Sequence, residues 1–100
     1  MADITFKLSV LNAQALIYSA EVKSLILTGD EAEYELLPYH APLMGVLKKS
    51  EIIIDHKLAI PILKGLVKFY DNTCYILAEE ILVKDVEGFE QPEVIEKDEN

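Results

Sequence analysis

Arginine is absent from this 100-residue chain, whose nine basic residues are all lysine and face eighteen acids for a formal charge of −9. Without a guanidinium fork the chain lacks the usual bidentate grip on phosphate. The acidic excess also repels nucleic-acid backbones and anionic lipid headgroups, so neither nucleic acid nor direct lipid insertion is expected. Cysteine occurs once, at Cys74, which rules out an internal disulfide scaffold, argues against a zinc module and fits a cytosolic setting. Glycine is scarce, at four residues, and none belongs to a phosphate-cradling loop or a dinucleotide fingerprint. No apolar run is long enough to span a membrane, and Asp3 precedes any basic residue, so no signal peptide is expected either.

About half of the residues are apolar, enough for one modest core, and the length is too small for a deep cleft between two domains. The acidity is uneven: residues 1–84 hold eleven acids against eight lysines, whereas residues 85–100 hold seven acids against Lys97 alone. Val86, Phe89, Val94 and Ile95 are the only strongly apolar residues after Asp85, and Pro92 interrupts any helix there. The expected organisation is therefore one domain over residues 1–86 and a disordered acidic tail over residues 87–100.

Period-two patterning dominates the domain. Ile4, Phe6, Leu8 and Val10 alternate with Thr5, Lys7 and Ser9, as in a strand with one buried face. Asn12 and Ala13 interrupt it, a short strand resumes near Leu16, and a longer one follows over Val22 to Leu27. Gly29 and Asp30 mark a turn. Leu36-Leu37, Leu43 to Leu47, Ile52 to Ile54, Lys57 to Leu63, Val67 to Tyr70, Thr73 to Ala78 and Glu79 to Val83 continue the series. Asp55-His56 is a plausible tight turn, and Asp71-Asn72 makes the clearest hairpin. Pro61 has no amide hydrogen, so its strand is expected at an edge, an end or a bulge, and Gly65 is expected at a close approach or bend. No helical stripe is sustained before residue 84, so the fold is expected to be all-β, a sandwich or barrel.

Catalytic parts are few. His40 and His56 are the only histidines, the serines are scattered, and none sits in a nucleophile elbow. Cys74 alternates with Ile76 and Ala78 and is expected in the core, while His56 is expected to face water in its turn. The carboxylates around Asp30 and at Glu79-Glu80 lack the groove that acid–base pairs require, and they lack calcium-loop spacing. No catalysis and no cofactor are expected.

The run Glu33 to Leu43, EYELLPYHAPL, concentrates the unusual side chains. Pro38 and Pro42 fix their own φ and push Leu37 and Ala41 towards extended backbone, giving a stiff loop that carries Tyr39 and His40. Rigid amphipathic side chains on a loop suit a protein interface, although such a loop can also pack on its own sandwich.

This run resembles the G-x-F-G-x-L-P-G-H-A-P-L segment of the epsilon subunit of F-type ATP synthases. Phe6 to Val10 resembles that family's first strand, Ala20-Glu-Val-Lys-Ser-Leu25 its G-E-V approach to the loop, and Lys64-Gly65-Leu-Val-Lys-Phe69 its G-G-x-x-x-V step. The resemblance covers about residues 4 to 84. It implies a flattened β-sandwich of about ten short strands that links the gamma subunit to the c-ring in the central stalk. The complex would lie at the cytoplasmic face of a bacterial inner membrane, and the subunit would be a noncatalytic rotor part coupling proton flow to ATP synthesis. The ring-facing surface is implied to comprise the loops at Gly29 to Glu33 and Tyr39 to Pro42, with Glu31, Tyr39, His40, Ala41 and Pro42 as contact candidates. Gamma is implied to take a sandwich face that the sequence leaves undefined. Glu35, Tyr39 and Lys64 stand where the pattern has glycines, and Lys49-Ser50 where it has Pro-Gly, so different local turns are expected there. The family's C-terminal helical pair is not expected in this chain. An unrelated β adaptor and a metabolite-binding sandwich are the alternatives.

Overall fold

Alternating apolar and polar side chains form a strand wherever one face finds a core, and in the computed structural model, which describes residues 4–79, this happens nine times. The strands are β1 (Phe6–Leu11), β2 (Leu16–Val22), β3 (Leu25–Thr28), β4 (Glu33–Leu36), β5 (Leu43–Leu47), β6 (Ser50–Ile54), β7 (Leu58–Ile62), β8 (Gly65–Tyr70) and β9 (Thr73–Ala78). They form a five-stranded sheet, β2-β1-β9-β8-β5, and a four-stranded sheet, β4-β3-β6-β7. The all-β sandwich is as expected. The expected strand from Glu79 to Val83, the rest of the domain to residue 86 and the acidic tail lie beyond the described residues, apart from Glu79 itself.

The core lies between the inner faces. Phe6, Leu8, Val10, Val67, Phe69, Cys74 and Ile76 from the five-stranded sheet meet Leu25, Leu27, Leu36, Ile52, Ile54 and Ile62 from the four-stranded one. Phe6 and Phe69 pack edge to face with ring centroids 5.2 Å apart. Ile4, by contrast, precedes β1 and is exposed, so the buried alternation begins at Phe6. The register also slips between Val10 and Leu11, where Leu11 pairs with Leu16 and Ile17 is left over as a bulge.

Local chemistry explains the turns. Asp71 and Asn72 take φ values of 54° and 57° and close a two-residue hairpin with Tyr70 opposite Thr73, the geometry that such residues favour. Asp55 and His56 are also left-handed, at 55° and 59°, and Lys57 N–H donates to Ile54 O at 3.0 Å. The Asp55 carboxylate reaches across to accept the Lys23 and Ser24 amides at 2.7 and 3.0 Å, anchoring this turn to the β2–β3 corner. Pro61 lies on β7, an edge strand, as its missing donor requires. Gly65 permits a close approach, since a Cβ there would lie 2.8 Å from the Leu77 carbonyl oxygen. β1 and β9 pair in parallel, Leu8 opposite Cys74, and join the first strand to the last described one.

Candidate functional site

The proline loop is a tight turn. His40 N–H donates to Leu37 O at 3.2 Å, with Pro38 and Tyr39 between them and Tyr39 at φ 65°. Proline followed by a left-handed residue is type II geometry, which ordinarily selects glycine at the second position. The expected difference from the glycine-bearing pattern is therefore absent at Tyr39: the left-handed conformation persists with a tyrosine in it. At Glu35 the chain is ordinary strand instead, paired with Ile26 of β3.

Tyr39 is 74% exposed, and Ala41 and Pro42 are exposed beside it. His40 Nδ1 lies 2.7 Å from Ala41 O. A carbonyl only accepts, so Nδ1 carries the hydrogen and Nε2 is left available. The His40 ring meets Phe69 edge-on at 5.8 Å, tying the loop to the core. Gly29 N–H donates to Ala32 O at 2.9 Å and closes the second loop. The two loops share an open notch of about 570 Å³ in which Glu31 and His40 are both lining residues, with Asp30, Tyr34 and Leu43. Tyr39 sits within the adjoining turn, and Ala41 and Pro42 follow it.

A second surface was not legible in the sequence. Outward side chains of the five-stranded sheet form a row, Leu16, Leu11, Leu77, Leu66 and Val46, each opposite the next across β2, β1, β9, β8 and β5. Met44, 77% exposed, and Tyr75 extend this apolar patch along the next row, around Lys68. Two shallow depressions lie over it, one holding Met44, Leu11 and Tyr75 and the other Ala13, Lys64 and Glu79, with Val46, Leu66 and Leu77 in both. A solvated sheet face is ordinarily polar, so a contiguous apolar one marks a binding surface. The available signal was that Leu66, Tyr75 and Leu77 break strict alternation in the two strands where it is otherwise strongest.

The lone thiol lies at neither surface. Cys74 is buried, and burial pushes its thiol up to about 12, so at neutral pH it is a packed apolar group. Burial also raises the Tyr34 phenol, with a smaller contribution from Cys74. His56, exposed in its turn, pairs with Glu35 at 2.9 Å, a surface contact worth about 0–1 kcal/mol. Among the described residues no group of three or more His, Cys, Asp or Glu is gathered as a metal site.

Residues 5–84 match the family model for the ATP synthase delta/epsilon chain β-sandwich domain. The chain is 33% identical over 97 residues to the ATP synthase epsilon chain of a Nitratiruptor species, covering 93% of this chain and 74% of that one. It is 35% identical over 88 residues to the epsilon chain of Leptospira interrogans serovar copenhageni, covering 85% and 69%. In fold, it superposes with a TM-score of 0.68 and 14% identity on a chain from the central stalk and c-ring of the Tetrahymena thermophila mitochondrial ATP synthase, covering 93% of this chain and 79% of that one.

Proposed function

This chain belongs to the ATP synthase delta/epsilon-chain β-sandwich family, and from that premise we propose that it links the gamma subunit to the c-ring in the central stalk. The epsilon chain is a noncatalytic subunit, so its contribution is binding and mechanics. Proton flow turns the ring, and a sandwich fixed to both partners carries that motion to gamma, at the cytoplasmic face of a bacterial inner membrane.

One observation carries the reading: a single small sandwich bears an apolar sheet face and an aromatic loop end that meet at β5. The apolar row through Leu66 and Leu77 fits gamma, because burying uncharged aliphatic surface gives a stable attachment without ion-pair geometry. The loop end fits the ring. There Tyr39 contributes rigid aromatic area, Glu31 and His40 contribute polar contacts in the shared notch, and Ala41 and Pro42 complete the edge.

The test is a binding and coupling assay with purified cognate gamma and c-ring. Leu66→Glu is expected to weaken gamma binding at least about tenfold by placing a charge in a desolvated contact. Tyr39→Ala is expected to weaken ring attachment and proton-coupled ATP synthesis while gamma still binds. A folded chain with no affinity for gamma would reduce the family membership to shared ancestry. Coupling unchanged in Tyr39→Ala would remove the ring-facing assignment.

A further inference from the structure

Asn72 lies at the tip of the β8–β9 hairpin, yet its side-chain amide and its backbone carbonyl serve other parts of the chain. Its Oδ1 accepts the Tyr39 N–H at 2.7 Å, its Nδ2 donates to the Thr5 carbonyl at 2.9 Å, and its own carbonyl accepts the Lys7 N–H at 3.2 Å. Only one orientation of the amide satisfies both side-chain partners, since the Tyr39 amide can only donate and the Thr5 carbonyl can only accept. Other short side chains serve less well. Aspartate lacks the donor, serine and threonine are too short to span both groups, and glycine has neither function. Asparagine also tolerates the left-handed backbone required at this turn.

The partner of Oδ1 is the residue under greatest local constraint in the loop. Tyr39 carries a Cβ at φ 65°, a basin that side-chain-bearing residues leave unless the surroundings hold them there. Pro38 fixes the preceding φ, and Asn72 captures the Tyr39 amide in the orientation that the left-handed conformation gives it. We propose that Asn72 is a positioning residue for the Pro38 to Pro42 loop, presetting Tyr39 and His40 in the conformation presented to the c-ring. The proposal rests on the ring-facing assignment above. A loop ordered before contact loses less conformational freedom on binding, so the clamp raises affinity without touching the partner.

Two variants separate clamp from turn. Asn72→Gly retains the two-residue turn and removes both side-chain bonds, whereas Asn72→Asp retains the acceptor and removes the donor. Amide hydrogen exchange of the full chain, resolved by residue, is the first readout. In Asn72→Gly the Tyr39 amide is expected to exchange about tenfold faster, in line with one lost hydrogen bond, while the strand amides of β8 and β9 keep their protection. In Asn72→Asp the Tyr39 amide is expected to stay largely protected. Unchanged Tyr39 exchange in the glycine variant would overturn the clamp, and so would a uniform loss of protection through β8 and β9, which would make Asn72 a turn residue only.

The second readout is attachment to the c-ring, expected to weaken several-fold in Asn72→Gly and to be mostly restored in Asn72→Asp. If Tyr39→Ala weakens attachment and Asn72→Gly does not, the positioning role is overturned and the ring-facing assignment stands. If neither variant weakens attachment, the ring-facing assignment fails and the functional half of this proposal falls with it.

Discussion

Replacing Gly65 by alanine tests the tightest approach at any glycine among the described residues. Gly65 opens β8, where it lies opposite Ala78 of β9 and Leu47 of β5. A methyl group there would lie 2.8 Å from the Leu77 carbonyl oxygen and 3.4 Å from the Ala78 Cα. Both are backbone atoms of a paired strand, so neither can swing aside as a side-chain tip would. The Glu79 N–H to Lys64 O bond at 2.8 Å holds the chain just beyond the contact. Relief therefore requires β8 and β9 to separate locally, an overpacking cost of about 1–3 kcal/mol. In a domain of this size each kcal/mol moves the melting midpoint by roughly 4–8 °C, so a central value of about 2 kcal/mol predicts a fall of about 8–16 °C. Gly45 on β5 is the internal control, because its added methyl would meet Tyr34 Oη and Val67 Cγ1 at 3.7 Å, ordinary contact distances. There alanine is expected to raise stability by about 0.5–1 kcal/mol through lower strand entropy loss. Thermal and urea unfolding followed by far-ultraviolet circular dichroism measures both variants. A Gly65→Ala midpoint within about 2 °C of the parent would refute the steric argument. Equal losses at Gly45 and Gly65 would refute it too, by showing a general intolerance of the sheet to substitution.

Tyr39→Gly is expected to be about 0.5–1 kcal/mol more stable than Tyr39→Ala, because relief of the left-handed strain outweighs glycine's entropy cost. An ordinary strand gives the opposite order, so urea unfolding that ranks alanine above glycine would show that residue 39 does not hold its positive φ. For Cys74, native-state labelling at pH 8 by a thiol reagent is expected to be negligible until the chain unfolds. Its folded thiol is pushed from 9.0 to about 12, so the unfolded thiol loses its proton first as pH rises. The thiol's contribution is thus fully present below pH 9 and is lost as pH rises towards 12, with a slope approaching about 1.4 kcal/mol per pH unit. Cys74→Ala is expected to flatten that part of the alkaline decline in urea stability, and parallel declines in the two proteins would contradict it.

Features governed by neighbours in sequence were legible; those made by distant segments were not. Asp71-Asn72 announces a hairpin because both residues tolerate left-handed backbone, and Pro61 announces an edge because it cannot donate. Cys74 announces its burial by alternating with Ile76 and Ala78. The parallel pairing of β1 with β9 has no connecting turn to betray it, since the partners are separated by most of the chain. The apolar row was hidden for a related reason: a strand pattern says which residues alternate, but only the register across β1, β9, β8 and β5 brings Leu11, Leu77, Leu66 and Val46 side by side. Family resemblance implied that the loops of Glu31 and His40 belong to one surface, whereas composition and spacing indicated only a stiff aromatic loop; the notch they line comes from the fold. The left-handed turn at Tyr39 has a physical explanation. A left-handed tyrosine is unfavourable by itself, but Pro38 precedes it and Asn72 captures its amide from 33 positions away.

Strand β5 gives the two proposed surfaces a common mechanical element. It begins at Leu43, directly after the Tyr39 to Pro42 loop, and carries Met44 and Val46 onto the apolar face. Five successive residues pair it with β8, from Leu43 opposite Phe69 to Leu47 opposite Gly65. β8 turns through Asp71-Asn72 into β9, and Asn72 returns to the Tyr39 amide. The path from loop to face and back is thus a closed circuit of covalent strand, ladder hydrogen bonds and one side-chain clamp. Such a circuit resists bending better than a linker, because a displacement at Tyr39 must break ladder bonds in β5–β8 or the Asn72 bonds before it is absorbed. For a subunit proposed to carry rotation between two partners, stiffness between its two surfaces matters as much as affinity at either one. The same circuit explains how an unfavourable tyrosine conformation can persist at the loop: Pro38 precedes it, Asn72 holds its amide, and Asn72 is itself fixed by its bonds to Thr5 and Lys7.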